Sequence, residues 1–377
     1  GKTVINLSAG TAAAAGVASG SGMMFPPEIL AEGFAGFQRD PVYHPDPKGS
    51  PEARKAVSGF YARRGFDIPA DNIILTSGTS ESYLHLFKLL AKPGEEILFP
   101  NPGYPLFDHL AALAGTELKH YCLDAGNQWQ ADLGDLESKI TRKTRAIVLV
   151  SPNNPTGSVL AGRALGGVLS IAKKYGIPVI SDEVFSEFVF DGKTFPRAAA
   201  HTDEVTVFTL NGVSKTYALP GLKISWIAVT GPGAEKYLDE LELTVDTLLA
   251  CNQMSQAMLP SIIAGGENFL DAYRKRLEQN RNMACRILSR SPNITFMEPR
   301  GGCYLFARIH GYPGTDEDFV VELMERAGIY VHPGYFYDYE KGLHVLVSFV
   351  MEASMLRETL EKFVDAVDLL CAGDVAP

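Results

Sequence analysis

The 377-residue chain is poor in tryptophan (two) and cysteine (five), and no two cysteines lie in a C-x-x-C spacing. Cys122, Cys251, Cys285, Cys303 and Cys371 are scattered along it, which argues against a structural zinc site or any other metal centre. An odd, sparse set fits reduced thiols and a cytoplasmic location. No apolar run reaches the ~18 residues that would span a bilayer. Ala12–Gly22 lacks both the charged start and the apolar centre of a signal peptide. Nor is there a run of lysine or arginine: 34 basic residues stand against 44 acidic ones, for a net charge of -10. Without a basic face, nucleic-acid binding is not expected. Internal repeats and low-complexity tails are missing as well. What is there is a globular composition, 46% hydrophobic and 21% charged, in a chain long enough for a sizeable core and more than one domain.

The first forty residues, rich in Gly, Ala and Ser, read as an extended arm. Regular alternation follows. Ser50-Pro51-Glu52 opens a helix, with a capping hydroxyl and a proline at the first helical position, and Gly65 ends it. Short apolar segments then alternate with amphipathic ones: strands at Asn72–Thr76, Glu96–Phe99, Arg145–Val150, Pro178–Ser181, Val205–Leu210 and Ile224–Val229, with helices between several of them. Continuous runs such as Ala146-Ile147-Val148-Leu149-Val150 suit strands buried on both faces. The expected fold is α/β, a mostly parallel central sheet with helices on both faces, plus a smaller α+β domain. After residue 231 long helices are expected near Ala234–Leu259 and Glu267–Ser289, then strands at Cys303–Ile309 and Leu343–Phe349. The boundaries read as an arm over 1–42 packing on the small domain, a large domain over 43–259 and a small domain over 260–377.

In an open α/β sheet, ligands bind at the carboxyl ends of the strands, so the residues just past each strand matter most. Ser77-Gly78-Thr79-Ser80 opens a helix, where N–H groups, the helix dipole and hydroxyls make a phosphate seat; alone it is no more than a helix cap. Ser151-Pro152-Asn153-Asn154-Pro155-Thr156-Gly157 presents asparagine amides on an irregular backbone, and alone is equally a rigid turn. Asp182-Glu183 puts carboxylates at a strand end, where they could simply cap a helix. Ser214-Lys215, between an apolar strand and the turn Pro220-Gly221, is the unusual one: an amine in a desolvated place becomes a nucleophile near neutral pH. Together these segments supply a phosphate seat, an amide, a carboxylate and an amine, the inventory that holds pyridoxal phosphate.

On these residues the chain resembles the class I/II aminotransferases, the fold-type-I pyridoxal-phosphate enzymes, from about Tyr43 to the C-terminus. The resemblance implies that Lys215 holds the cofactor as a Schiff base and then shuttles the proton, and that Asp182 pairs with the pyridine nitrogen. It implies that Asn154 donates to the ring's phenolate oxygen and that Tyr104, in Asn101-Pro102-Gly103-Tyr104-Pro105, stacks on the ring. Thr79, Ser80, Ser214 and Lys223 would hold the phosphate. Tyr43, in Tyr43-His44-Pro45-Asp46-Pro47, would reach the phosphate of a neighbouring subunit in a homodimer. Without that role the two tyrosines are packing residues. The implied activity is amino transfer between an amino acid or related amine and a keto acid.

Three positions depart from the family pattern. Phe185 replaces the usual tyrosine that donates to the phenolate oxygen; losing one neutral donor costs on the order of 1 kcal/mol and raises the imine's pKa. Lys223 replaces an arginine, keeping the charge and losing the two-pronged geometry. Leu346 stands where the family has the arginine that forks onto the substrate carboxylate. Arg300 and the aromatic segment within Tyr330–Tyr339 (His332 to Asp338) are the replacement candidates; the first reads more readily as a surface cation near a turn, the second equally as an interface loop. The motifs are shared by a lyase, decarboxylase or oxidase on the same scaffold. A ligand-sensing regulator on this fold is a further reading, but no helix-turn-helix fits before Tyr43.

Overall fold

Apolar residues that alternate sides along one strand require cover on both faces of a sheet, and that requirement organises the structure. In the computed structural model, which describes residues 4–10, 23–160, 162–201 and 205–372, Val207 belongs to the core on one face of the large sheet and Phe208 to the core on the other; Ile147 and Val148 divide in the same way. In chain order the strands are β1 Ile5–Asn6, β2 Ile73–Thr76, β3 Glu96–Asn101, β4 Glu117–Asp124, β5 Gln130–Ala131, β6 Thr144–Val150, β7 Val179–Asp182, β8 Val207–Gly212, β9 Ser225–Thr230, β10 Ile294–Phe296, β11 Tyr304–Ile309, β12 Ile329–Tyr330, β13 His332–Pro333 and β14 His344–Ser348.

The large sheet has the order β2-β9-β8-β7-β6-β3-β4-β5. The run from β8 through β4 is parallel, while β9 is antiparallel to both of its neighbours and β5 to β4. Strands β2, β3, β6, β7 and β8 therefore end at the same edge. The smaller sheet, β10-β11-β14-β13, is wholly antiparallel. The helices Glu267–Leu288 and Ala353–Cys371 bury apolar faces in the same core as this sheet. The expected α/β class is what the chain adopts.

Three local features differ from the sequence expectation. The arm is not extended throughout: Pro27–Arg39 is a helix, with proline at its start, Glu28 in its first turn and Arg39 in its last, as the helix dipole favours. It lies against the helix Gln253–Gly265, where a Cβ on Gly33 would come 3.0 Å from Met258 Cα. The long helix expected near Ala234–Leu259 is two. Ala234–Leu248 stops at Leu249 (φ +68°), and Asn252 starts the next by accepting from Ser255 N at 2.9 Å; this second helix runs across residue 260. Strand β4, at Glu117–Asp124, has mixed exposure near the sheet edge and no apolar run to mark it. Ala12–Gly22 lies outside the described residues.

Before that gap, the arm forms part of the smaller sheet's surroundings. Ile5 pairs with Ile329 in parallel, Leu7 N donates to Tyr330 O at 2.9 Å, and Ser348 N donates to Leu7 O at 2.7 Å. Among the described residues no helix is long and apolar enough to cross a membrane, and no group of His, Cys, Asp or Glu could hold a metal ion.

Candidate active site

The shared edge of β2, β3, β6, β7 and β8 opens into a cavity between the two sheets, at the carboxyl ends of the strands, where small molecules bind in such folds. Thr79, Tyr104, Asn154, Asp182, Ser214 and Lys215 all line it. Six residues from five separate sequence segments are thus brought together. Ser80 sits beside Thr79 in the first turn of the helix Thr79–Leu90. Lys223 does not line the cavity, but its Nζ is 3.6 Å from the point a Cβ on Gly78 would occupy, at the start of that helix. Tyr43 is 61% exposed and outside this cavity.

Each side chain is placed by a local device. Past β8, Asn211 Oδ1 accepts from Gly212 N at 2.7 Å and from Thr216 Oγ1 at 3.1 Å, which fixes the single helical turn Val213–Thr216 that carries Lys215. Gly212 is required because a Cβ there would meet Ser225 Cβ at 2.6 Å across β9. Past β6, Asn153 staples its own turn, with Oδ1 accepting from Thr156 N and Oγ1 at 3.2 and 2.8 Å. Asn154 is left to the cavity, and its buried side-chain oxygen has no hydrogen-bond partner. The two adjacent asparagines therefore have opposite roles, one structural and one turned to the site.

The acidic pair divides likewise. Asp182, at the end of β7, lines the cavity; Glu183 is fully buried against Arg197, which also reaches Glu187 at 3.0 Å. Asp182 accepts from Tyr83 Oη at 2.8 Å and from Val184 N at 3.1 Å. Even so, burial pushes its carboxyl up to about 6, because the charged form has lost water. Lys215 Nζ donates to Gly10 O at 3.3 Å, and burial holds its amine below the ordinary lysine value, against the pull of the Cys303 thiol and Asp182.

Sequence reasoning missed three contributors. Tyr83 looks like one more apolar residue of an amphipathic helix; its position one turn after Thr79, hence on the same face, was the available signal. Gly10 and Tyr304 come from the arm and from β11, and nothing local marks either. Of the departures, Phe185 lines the cavity and packs edge-on against Tyr304 with centroids 5.8 Å apart. Leu346 is buried in β14 opposite Phe306 and His332. Arg300 lines separate surface depressions with Val159 and Lys193 on one side and Asp124 and Arg163 on another. The aromatic segment docks on the Tyr104 loop: Gly103 N donates to Tyr337 O at 3.2 Å and Asn101 Nδ2 to Asp338 O at 2.7 Å.

A family model described as aminotransferase class I and II matches residues 30–367. The chain belongs to that family. The family is pyridoxal-phosphate-dependent and is described as one of aminotransferases, so the aminotransferase reading of the sequence is borne out at that level. The alanine aminotransferase of Pyrococcus furiosus has a TM-score of 0.90 and 29% identity, covering 98% of this chain and 93% of that one. Glutamate-pyruvate aminotransferase AlaA of Escherichia coli K12 is 31% identical over 269 residues, 70% of this chain and 66% of that protein. S-alkyl-thiohydroximate lyase SUR1 of Arabidopsis thaliana is also 31% identical, over 82% of this chain and 69% of that protein.

Proposed function

We propose that this aminotransferase-family chain binds pyridoxal phosphate at Lys215 and moves an amino group between an amino acid, or related amine, and a keto acid. The observation that carries the reading is the pairing of a buried amine and a buried carboxylate across one cavity. A carboxylate is costly to bury, burial outweighs the pull of Lys215 on Asp182, and a protonated ring nitrogen would offset that cost. Asn154's unpartnered oxygen and the helix start at Thr79 leave further polar positions open to a ligand. In this reading Thr79, Ser80, Ser214 and Lys223 hold the phosphate, Tyr104 covers one face of the ring, and Asn154 faces its phenolate edge.

When bound, the group serves as an electron sink for charge developing on the substrate. The chain's part is to hold and move protons. Lys215 Nζ, whose proton affinity burial lowers, takes a proton from the substrate carbon and returns it elsewhere on the ligand. Asp182 keeps the ring nitrogen protonated, and Tyr83 fixes the carboxylate's orientation. The Tyr104, Phe185 and Tyr304 walls exclude water.

Names of relatives favour alanine or glutamate as donor, with pyruvate as the acceptor for glutamate. The lyase among them keeps elimination on the same scaffold as a second reading. In this proposal the chain divides into the arm 1–42, a large domain 43–259 and a small domain 260–377, and works in the cytoplasm as a homodimer. Exposed Val42 and Tyr43, with Leu248 and Leu249 also bare, support an interface through which Tyr43 reaches the partner's phosphate. The test is to add pyridoxal phosphate, reduce with borohydride and map the adduct, which is expected on Lys215. Bleaching of the visible band by an amino acid, with a keto acid released, marks transamination. Ammonia release without bleaching marks elimination, and an adduct elsewhere or none overturns the reading.

A further inference from the structure

Tyr304 is the residue that the smaller sheet gives to the cavity wall. In an antiparallel sheet, directly paired residues share a face, and so do residues two apart along a strand. Tyr304 pairs with Ser348, Phe306 with Leu346, and Leu346 with His332. Leu346 therefore sits diagonally beside Tyr304 on the sheet face turned to the cavity, and it is 1% exposed.

That face is apolar or neutral where it meets the site. Ser348 Oγ is committed to Ala9 O. His332 Nδ1 lies 2.9 Å from Tyr337 Oη, and burial lowers the ring's affinity for a proton. Arg308 follows Phe306 on the same face, but at the far end of β11 from Tyr304. Its side chain is exposed, with Nη2 3.3 Å from the point a Cβ on Gly342 would occupy. The buried arginines Arg54, Arg197 and Arg281 are each paired with carboxylates elsewhere. Residues 11–22, which follow Gly10, include no Lys, Arg or His.

Among the described residues that line the cavity, Lys215 is the one cationic side chain and Asp182 the one carboxyl group. In the functional reading Lys215 has a proton to move, and Asp182 repels a second negative charge. An ionised carboxylate buried against hydroxyls and an amide alone loses more hydration than they return. An apolar or aromatic substituent meets no such cost beside Leu346 and gains from burial.

We propose that Leu346 makes this site select primary amines whose reacting carbon bears no carboxylate over α-amino acids with the same side chain. The proposal rests on the reading of Lys215 as the cofactor-binding amine, and it narrows the donor to the related amine. From such a donor, R–CH2–NH2, the reacting carbon gives one proton to Lys215. Water then cleaves the carbon–nitrogen bond, R–CHO departs, and the nitrogen stays on the cofactor in place of its aldehyde oxygen. The acceptor meets the same wall, so a keto acid is a poorer acceptor here than an aldehyde without a carboxylate.

The test is binding of reduced cofactor–donor conjugates, which cannot react, to the full chain freed of cofactor. Phosphopyridoxyl-phenethylamine is compared with phosphopyridoxyl-L-phenylalanine, and phosphopyridoxyl-ethylamine with phosphopyridoxyl-L-alanine. The members of each pair differ only in the carboxylate. Calorimetry is expected to show the carboxylate-free member bound about ten- to a hundredfold more tightly. In Leu346→Arg the order should reverse. If that variant fails to fold, Leu346→Gln, close in size and a neutral donor, should narrow the gap by roughly threefold. Equal affinities within the pairs, tighter binding of the carboxylated members, or no binding of any conjugate overturns the proposal. So does an unaltered preference in a folded variant. Mapping the borohydride adduct separates the failures: an adduct off Lys215 sinks the functional reading, whereas an adduct on Lys215 without the preference sinks only this proposal.

Discussion

Tyr83 Oη donates to Asp182 Oδ2 at 2.8 Å, tying the helix that opens at Thr79 to the carboxyl end of β7. One bond thus links the helix start read as a phosphate seat to the carboxylate assigned to the ring nitrogen. The bond also favours the ionised carboxylate, partly opposing burial.

Tyr83→Phe removes that donor without changing shape. Asp182 should then titrate about half a unit to one unit higher. Carbon-13 NMR of labelled aspartate in the cofactor-free chain would measure it. An unchanged titration would mean that the hydroxyl does not act on the carboxylate.

Asp182→Asn separates function from stability. Burial raises the folded-state carboxyl from 3.8 to about 6, so between those values the folded chain binds the proton more tightly than the unfolded one. The stabilising contribution is complete below the unfolded value and is lost as pH rises through about 6. In the cofactor-free wild type this amounts to up to about 3 kcal/mol, and asparagine removes that share of the pH dependence. Urea unfolding at pH 4 and pH 7 should therefore differ less in Asp182→Asn than in the wild type. Turnover of the loaded variant should fall by on the order of a hundredfold or more. Equal turnover would remove the ring-nitrogen role.

Arg197→Met leaves Glu183 buried without its cation, since the two side chains are paired deep in the large unit. Breaking one side of such a pair costs about 3–5 kcal/mol. Replacing Glu183 by methionine as well should recover much of the loss. Denaturant midpoints of the two single variants and the double variant read this directly, and additive losses would contradict it.

Gly10→Ala forces the arm away, because the new methyl group would overlap Tyr304 Oη. About 1–3 kcal/mol of destabilisation is expected. The amides of Ile5 and Leu7, which bond to Gly328 O and Tyr330 O, should exchange faster with deuterium. Exchange as slow as in the wild type would show that the contact yields without moving the arm.

Much of the site was legible because its parts lie at strand ends. A buried strand announces itself by its apolar run, and the polar residues just beyond are then exceptional. Asn154, Asp182 and Lys215 were all found in this way. Tyr83 was not, because a tyrosine on an apolar helix face looks the same whether or not its hydroxyl has a partner. The helix Pro27–Arg39 was overlooked although Pro27, Glu28 and Arg39 all mark it, because the composition around it suggested an arm. The break at Leu249 was hidden inside a stretch that reads as helical on both sides.

The sequence by itself determined the layer architecture, the strand-end motifs and the family, since each depends on local periodicity or on a short fixed run of residues. Only the tertiary structure decided which asparagine faces the cavity, which carboxylate is locked to Arg197, and that Gly10 and Tyr304 meet at Lys215. Those outcomes depend on contacts between segments up to hundreds of residues apart, and packing geometry, which no local pattern encodes, selects among them.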